Sequence, residues 1–199
     1  MASTPANKPP AGAGEITQSL RAAWESRPLG ELIRHIVERH HAWLRAELPE
    51  TGRLLRQEIE TAGRERSQGL IEAEKLFQRF QREIEDHLKK EEVVLFPLIA
   101  RMEAVSARDG PRQPPSFGSI RNPVQFMVQD HELADQWLSK IKELIGRSET
   151  TAEPSGARQV ILERLAAVEA DLAAHVRLED EILFPRAIRL DEEGRSSGE

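Results

Sequence analysis

Two segments of the chain carry the same pattern of histidine, glutamate and proline. His87 and Glu91 are four residues apart, and Leu-Phe-Pro follows from residue 95. The pattern returns 88 residues later with His175, Glu179 and a second Leu-Phe-Pro. Side chains four residues apart lie on one face of a helix. Each histidine and its glutamate can therefore contact the same partner. A carboxylate and an imidazole on a buried face need a partner, and a metal ion is the natural candidate.

The apolar residues around each pair indicate that the pairs lie on the buried face. Apolar positions continue through both pairs in steps of three and four residues: Ala73, Phe77, Phe80, Ile84, Val94 and Leu98, then Ile161, Leu165, Val168, Leu172 and Ile182. One such pair alone is typical of a solvated helix surface. Two copies at the same core position favour a metal site, because an unpaired buried carboxylate is costly. Glu92 and Asp180 lie about 100° further round the helix and are expected to be flanking polar residues.

Two further histidines complete a symmetric set. His131 has apolar residues three and seven positions after it, and His41 has apolar residues at the same offsets. His40 also fits the apolar face, so periodicity alone does not choose between His40 and His41. The matching offsets favour His41 as the ligand. His40 is then expected beside the ligands or partly exposed, and His35 is expected to be a structural or surface histidine.

Four histidines and two glutamates suit a dinuclear metal centre. The candidate ligands are His41, His87, Glu91, His131, His175 and Glu179. Each metal would take two histidine nitrogens and one oxygen from each bridging glutamate. The symmetry pairs His41 with His175, and His87 with His131. With a solvent-derived oxo or hydroxo bridge, each octahedral iron would keep one open position for O2, peroxide or nitric oxide. The N and O donors suit iron first, with manganese or zinc less favoured.

Four segments with helical periodicity must position these donors, whereas strand signals are missing from the sequence. Their approximate extents are 29–63, 68–103, 122–145 and 161–182. Together they predict an all-α, up-down-up-down four-helix bundle. Because the repeated pattern lies in the second and fourth segments, the bundle is expected to consist of two helix pairs related by a pseudo-twofold axis.

Several residues predict where these helices begin, bend or end. Asn122 is expected to be the N-cap of the third helix, with Pro123 at its first helical position. Pro49 is expected to kink or break the first helix. Pro97 and Pro185 are expected to kink or end the second and fourth helices just beyond the candidate site.

Composition along the chain predicts one domain between two tails. Residues 1–23 begin with an Ala-, Pro- and Gly-rich stretch and are expected to form a disordered or irregular tail. Residues 24–191 are expected to form the bundle. Residues 192–199 are charged and rich in Gly and Ser, and a flexible tail is expected there.

The overall composition excludes several classes of function. The formal net charge of −6 argues against nucleic acid and against an anionic membrane as the partner. The absence of cysteine excludes disulfides, thiolate catalysis and iron–sulfur ligation by this chain. No apolar run is long enough to span a bilayer, and no signal peptide is recognisable. A cytoplasmic protein is therefore expected.

Residues 24–190 resemble the hemerythrin-like (HHE cation-binding) family, and most of all its repair-of-iron-centres branch. The first helix from Pro28 to His41, the segment Gln129-Asp130-His131-Glu132 and the two His…Glu…Leu-Phe-Pro segments carry the resemblance. The resemblance implies a non-heme di-iron four-helix bundle. It also implies these six ligands: His41, His87, Glu91, His131, His175 and Glu179.

Two departures from the family limit what the resemblance implies. Members of the repair branch usually have an additional small N-terminal domain with cysteines, and this sequence has no cysteine. Iron delivery through such a domain is therefore not expected. Oxygen-carrying hemerythrins have five histidine ligands, with two histidines four residues apart on the third helix. Here Met127 and Asp135 flank His131 at that spacing, which disfavours simple reversible O2 carriage.

Three functions fit this site. The first is a di-iron protein of nitrosative or oxidative stress that reacts with nitric oxide, peroxide or O2, or that supports the repair of iron centres. The second is an O2-binding or sensing module. The third is a structural or interaction bundle that holds zinc or no metal. The sequence assigns no catalytic acid or base, no electron donor and no oligomeric state. The small ligands expected at the open metal positions are diatomic molecules or peroxide.

Overall fold

The computed structural model describes residues 18–63, 68–106, 118–147 and 156–196, and every regular element within these ranges is helical. An all-α fold is therefore confirmed. The elements are α1 (Gln18–Glu25), α2 (Leu29–His35), π1 (Ile36–His41), α3 (Ala42–Ala62), α4 (Gln68–Lys90), π2 (Glu91–Leu95), α5 (Phe96–Ser106), α6 (Arg121–Arg147), α7 (Gly156–Leu178), π3 (Glu179–Leu183) and α8 (Phe184–Ser196).

Within the described ranges these elements join into four long rods. Rod A consists of α2, π1 and α3, and rod B of α4, π2 and α5. Rod C is α6, and rod D consists of α7, π3 and α8. In each of rods A, B and D, a short π-helical stretch continues directly into an α-helix on both sides. The predicted helical segments thus correspond to continuous rods.

Side-chain pairs between neighbouring rods show that these neighbours run antiparallel. Two of the contacts between each pair of neighbouring rods suffice to show it, because the residue number rises along one rod and falls along the other. The contacts are His41–Glu92 and Arg56–Glu74 between A and B, Arg79–Trp137 and His87–His131 between B and C, Lys142–Glu169 and His131–Asp180 between C and D, and His40–Asp171 and Glu47–Arg164 between A and D.

Buried apolar side chains form two clusters along the rods. One cluster fills the half of the molecule that contains most of α3, α4, α6 and α7. The other joins α1 and α2 to α5, the start of α6 and α8. In each rod the predicted metal ligands lie between the residues of the two clusters. The polar residues therefore occupy a layer enclosed by apolar packing on both sides.

The prolines after the repeated pattern do not end their helices, so that alternative of the prediction is wrong. Pro97 and Pro185 each lie at the second position of an α-helix, directly after π2 and π3. A proline has no N–H and collides with the carbonyl four residues before it. The preceding π turn relieves this conflict, because the N–H of Phe96 donates to the carbonyl of Glu91 five residues back. The N–H of Phe184 donates to Glu179 in the same way.

Pro49 does not break the first helix, so that alternative is also wrong. It lies inside α3, which continues unbroken from Ala42 to Ala62. Pro49 is on the exposed face. The carbonyl of Arg45, which loses its helical donor, can therefore be solvated without interrupting the helix.

The third long helix begins earlier than the predicted N-cap at Asn122, and this prediction is wrong. α6 begins at Arg121, whose backbone N–H donates to the Ser119 hydroxyl at 3.2 Å. The backbone N–H of Ile120 donates to the carboxylate of Asp191 at 3.2 Å. Two acceptors thus satisfy the first donors of the helix, and one of them comes from the distant α8.

Helical structure extends into both predicted tails. α1 occupies residues 18–25, where its buried Trp24 joins the second apolar cluster. α8 continues to Ser196, because Asp191 anchors it to the start of α6. The predicted tails at 1–17 and 197–199 lie outside the described residues. No helix in the described ranges combines the length and apolar composition needed to cross a lipid bilayer.

Candidate metal centre

All six predicted ligand side chains converge between the two apolar clusters. Their donor atoms form two groups that share both glutamates, and within each group the atoms lie within 4.8 Å of one another. The groups are His41, Glu91, His175 and Glu179, and His87, Glu91, His131 and Glu179. The two histidine pairs are the ones that the pseudo-twofold symmetry of the sequence predicts.

Each glutamate presents one oxygen to each histidine pair. Glu91 Oε2 lies 3.4 Å from His41 Nε2, and Glu91 Oε1 lies 3.4 Å from His87 Nε2. Glu179 Oε1 lies 2.9 Å from His175 Nε2, and Glu179 Oε2 lies 3.3 Å from His131 Nε2. Both carboxylates therefore span the two groups in the manner of bridging ligands.

The Nε2 atoms of each histidine pair face one another. His41 and His175 bring these atoms to 3.1 Å, and His87 and His131 to 3.2 Å. Two donors bound at right angles to one ion, with bonds of about 2.1 Å, would lie about 3 Å apart. The observed separations fit two donors of one ion in each group.

Three carboxylates outside the donor groups contact the other ring nitrogen of the histidines. His41 Nδ1 donates to Glu92 Oε1 at 2.7 Å. His131 Nδ1 lies 3.3 Å from Asp180 Oδ1, and the Nδ1 of His87 lies 3.4 Å from an oxygen of Asp130. An ionised carboxylate only accepts, so it favours the tautomer with a proton on Nδ1. The Nε2 lone pair is then directed into the site, as metal ligation requires.

The roles of Glu92 and Asp180 are more specific than the expected flanking polar positions. Each follows a ligand glutamate directly, but each contacts a histidine on a neighbouring rod. The sequence signal for these roles was that both carboxylates occupy the same position in the two copies of the repeat. Helix periodicity gave their direction, but the neighbouring rod that they face is a property of the packing.

The electrostatics of the site favour positive charge. Burial lowers the pKa of His131, but Asp180 and Glu179 outweigh it and raise this pKa to about 10. Burial also opposes protonation of His41 and His87, yet the attraction of Glu91 leaves the pKa of both histidines raised. By contrast, burial dominates at His175, the fourth histidine of the site, and lowers its pKa.

The two glutamates test whether a metal fits the site. Both are fully buried, with 0% of either residue exposed. Three of their four oxygens, both of Glu91 and Oε2 of Glu179, have no hydrogen-bond partner within the described part of the chain. Burial raises the pKa of Glu179, but His175 and His131 outweigh it and hold that pKa well below its usual value. Buried ionised oxygens without donors are costly. Divalent cations between these carboxylates and neutral imidazoles would satisfy them.

The Leu-Phe-Pro segments cover the histidines. The ring of Phe96 stacks on His41 with centroids 5.8 Å apart, and Phe184 stacks on His131 with centroids 6.3 Å apart. Both phenylalanines are buried. They keep water from one face of each ring, so their packing role also shields the site.

His40 lies beside the centre, and the alternative that it is partly exposed is wrong. Its side chain is buried, and its Nδ1 lies 2.9 Å from Asp171 Oδ1. The His40 ring stacks on His175 with centroids 5.7 Å apart and an interplanar angle of 13°. It belongs to neither donor group in the described residues. His35 is half-buried and contacts the rings of His40 and Trp24, as expected of a structural histidine.

Comparison with known proteins agrees with this geometry. Residues 32–187 match the family described as the hemerythrin HHE cation binding domain. Proteins named iron-sulfur cluster repair protein YtfE from Escherichia coli O157:H7 and Escherichia coli O81 are each 28% identical to this chain, and the one from Escherichia fergusonii is 27% identical. Each match spans 172 residues, which is 86% of this chain and 71% of the relative. The chain therefore belongs to the hemerythrin HHE cation-binding family.

Proposed function

We propose that the six converging side chains hold two iron ions. His41 and His175 would hold one ion, and His87 and His131 the other. Glu91 and Glu179 would each give one oxygen to both ions: the ligands are then His41, His87, Glu91, His131, His175 and Glu179. The observation that carries this proposal is the division of each buried carboxylate between the two histidine pairs. Nitrogen and oxygen donors in this mixture favour iron, with manganese or zinc less suited.

The arrangement of the rods belongs to the same proposal. An up-down-up-down four-helix bundle with a pseudo-twofold axis brings two equivalent helix pairs to one centre. The antiparallel contacts between neighbouring rods support this topology. The equivalent placement of the two His–Glu pairs supports the axis.

The function proposed for this centre is a redox reaction with nitric oxide, peroxide or O2 during nitrosative or oxidative stress, in support of iron-centre repair. The similarity to proteins named for iron–sulfur cluster repair supports this role. Iron would supply the electrons and the ligand positions. The protein's own residues orient the donors and exclude water. Glu92 and Asp180 fix the rings of His41 and His131, and Phe96 shields one face of the site.

Metal analysis followed by rapid mixing tests this function. Protein purified without added metal is expected to contain two irons per chain, and its reduced form is expected to react with nitric oxide or peroxide within a stopped-flow experiment. Glu91→Gln should lose iron and this reaction. Glu181→Gln, an exposed change on the same kind of π turn, should lose neither.

Each contrary outcome identifies a different function. Zinc or no metal in the purified protein would favour a structural or interaction bundle. A stable oxygen complex that dissociates under vacuum would favour an O2-binding module. Loaded protein that is inert to both nitric oxide and peroxide would contradict the proposed reaction.

A further inference from the structure

A cavity of about 340 Å³ lies among rods B, C and D. It reaches three of the predicted ligands, namely His87, His131 and His175. Its walls are mostly apolar, and six of the apolar side chains that line it are Ile84, Leu88, Ala134, Leu138, Leu172 and Val176. The cavity therefore connects the candidate centre to a space suited to small, weakly polar molecules.

The pseudo-twofold counterpart of this region lies between rods A and B and is closed at the centre. A groove of about 750 Å³ follows these rods, but within the described residues none of the six predicted ligands lines it. Arg45 lies between this groove and the site. Its Nε donates to Glu85 Oε2 at 3.1 Å, and its Nη1 donates to Glu92 Oε1 at 2.7 Å. This bridge of three side chains separates the groove from the ligands.

The sequence does not repeat this bridge between rods C and D. Four residues after the ligand histidine, Arg45 of rod A is replaced by Asp135 of rod C. Two residues before the ligand histidine, Glu85 of rod B is replaced by Ala173 of rod D. Asp135 and Ala173 line the cavity. An aspartate and an alanine cannot form the cross-rod ion pair, so this side stays open.

The residues around the cavity give it a negative rim. Among the described residues that line it, there are six acids and no lysine or arginine: Glu83, Asp130, Glu132, Asp135, Glu169 and Asp180. Cations from outside the lining pair with three of these acids: Lys90 with Asp130, Lys142 with Glu169, and Arg79 with Glu83. In the described part of the chain, no lysine or arginine forms an ion pair with Glu132 or Asp135, which are exposed. A rim of one sign lowers the local concentration of anions, but it has little effect on uncharged molecules.

We propose that the cavity is the entry and binding site for a small uncharged molecule that reacts at the centre, and that its acidic rim selects against anions. This inference rests on the proposed function, because it assumes that a reactive centre lies at the inner end. It assigns the open side to rods C and D, and it names a class of substrate by charge. Nitric oxide, O2 and hydrogen peroxide belong to that class, whereas superoxide, nitrite and azide do not.

The first experiment measures entry without any reaction. Xenon binding to the iron-loaded full chain is followed by xenon NMR and by diffraction from xenon-pressurised crystals. The parent protein should bind xenon in the cavity. Asp135→Arg combined with Ala173→Glu copies the Arg45–Glu85 bridge to this side, and it should abolish xenon binding and slow the reaction with nitric oxide. Ala173→Trp, at an exposed position, provides a second way to block entry if the double variant does not fold.

A matched double variant makes the opposite change between rods A and B. Arg45→Asp combined with Glu85→Ala copies the open arrangement to the closed side. It should create a second xenon position near His41 while leaving the first one in place. Unchanged xenon binding and unchanged nitric oxide kinetics in both blocked variants would overturn the assignment of the entry site.

The second experiment measures selection by charge. Glu132→Gln combined with Asp135→Asn should raise the association rate constant of azide about tenfold at low ionic strength. The rate constant of nitric oxide should change far less than that of azide, because nitric oxide is uncharged, and the gain with azide should disappear at high salt. Glu60→Gln combined with Glu72→Gln makes the same change in charge at exposed positions outside the cavity and should have little effect. Equal gains from both double variants would contradict a role for the rim.

These outcomes separate the inference from the proposed function. Xenon binds without chemistry, so a protein that binds xenon but does not react with nitric oxide would refute the proposed reaction and leave the cavity assignment standing. A protein that reacts with nitric oxide at the parent rate when the cavity is blocked would refute the cavity assignment alone.

Discussion

Two interfaces each hold one of the two equivalent histidine pairs: rods A and D hold His41 and His175, and their pseudo-symmetric counterparts C and B hold His131 and His87. The two interfaces differ in the side chains that surround these pairs. In the A–D interface, Arg164 Nη1 donates to Glu47 Oε1 at 2.6 Å, and both side chains are 2% exposed. The equivalent positions in the C–B interface hold Trp137 and Leu76, which are only partly buried. The A–D side is thus closed by buried charge, and the other side is apolar and adjoins the cavity.

A similar difference occurs next to the ligands. His40, which precedes the ligand of rod A, is buried and pairs with Asp171. Asp130 precedes the ligand of rod C, and the position equivalent to Asp171 holds the exposed Glu83. A symmetric set of donors can therefore lie in an asymmetric environment. The donor groups are arranged symmetrically, whereas the cavity reaches them from the side of rods B, C and D.

The largest expected effect is the loss of a ligand shared by both halves. Glu179→Ala should remove one oxygen from each donor group, so the purified protein should lose most of its iron. Glu181→Ala, an exposed neighbour, should retain two irons per chain. Metal analysis by mass spectrometry checks both. Full iron content in Glu179→Ala would show that this carboxylate does not bridge the centre.

The next effect tests the closed interface. Arg164→Leu leaves Glu47 as an unpaired buried charge and should lower the free energy of unfolding by about 3–5 kcal/mol. Glu47→Leu combined with Arg164→Leu should recover most of this loss, because no unpaired charge remains. Chemical denaturation of the metal-loaded protein measures both. A double variant that loses as much free energy of unfolding as Arg164→Leu would show that the buried charge of Glu47 is not the cause of the loss.

Changes to the outer carboxylates should have smaller effects on metal affinity. Glu92→Gln replaces the carboxylate that lies 2.7 Å from His41 Nδ1 with a neutral, weaker acceptor, and Asp180→Asn does the same at 3.3 Å from His131 Nδ1. Loss of such partners typically weakens metal binding about 10–100-fold. The shorter contact predicts the larger effect for Glu92→Gln in competition with a chelator. A larger effect from Asp180→Asn would reverse this order.

The smallest effects are expected at the two residues that lie four positions before the candidate ligand histidines of rods B and D. Asp171→Asn alters a buried acceptor of His40 and should destabilise the protein by about 1–3 kcal/mol. Glu83→Gln alters an exposed side chain and should change stability by no more than about 0.5 kcal/mol. Thermal unfolding of both variants provides the comparison. Equal shifts would show that burial does not distinguish these positions.

Much of this site was predictable because its signals are local. A four-residue spacing fixes a shared helix face, and the apolar stripe identifies that face as buried. Among the arguments from spacing, only the offsets that match those of His131 favoured His41 over His40. The structure directs His41 into a donor group and His40 towards Asp171. The same internal comparison correctly grouped the histidines into two pairs, although binding of metal by these residues remains a prediction.

The features that the sequence did not predict depend on packing between rods. The buried ion pair of Arg164 with Glu47 joins residues more than a hundred positions apart, and each residue alone is typical of a solvated helix surface. Two of the π turns, π2 and π3, directly precede prolines, whose cost can be met by a kink, an end or a widened turn. Only the surrounding packing decides among these. The first π turn, π1, has no proline directly after it. The N-terminal α1 was missed because the contact of Trp24 with the second apolar cluster depends on tertiary packing.

Anomalous diffraction at the iron absorption edge, from crystals of the protein grown without added metal, tests the dinuclear centre most directly. Two peaks are expected, one between His41 and His175 and the other between His87 and His131, with Glu91 in contact with both. A single peak, or peaks away from these side chains, would contradict the proposed di-iron centre.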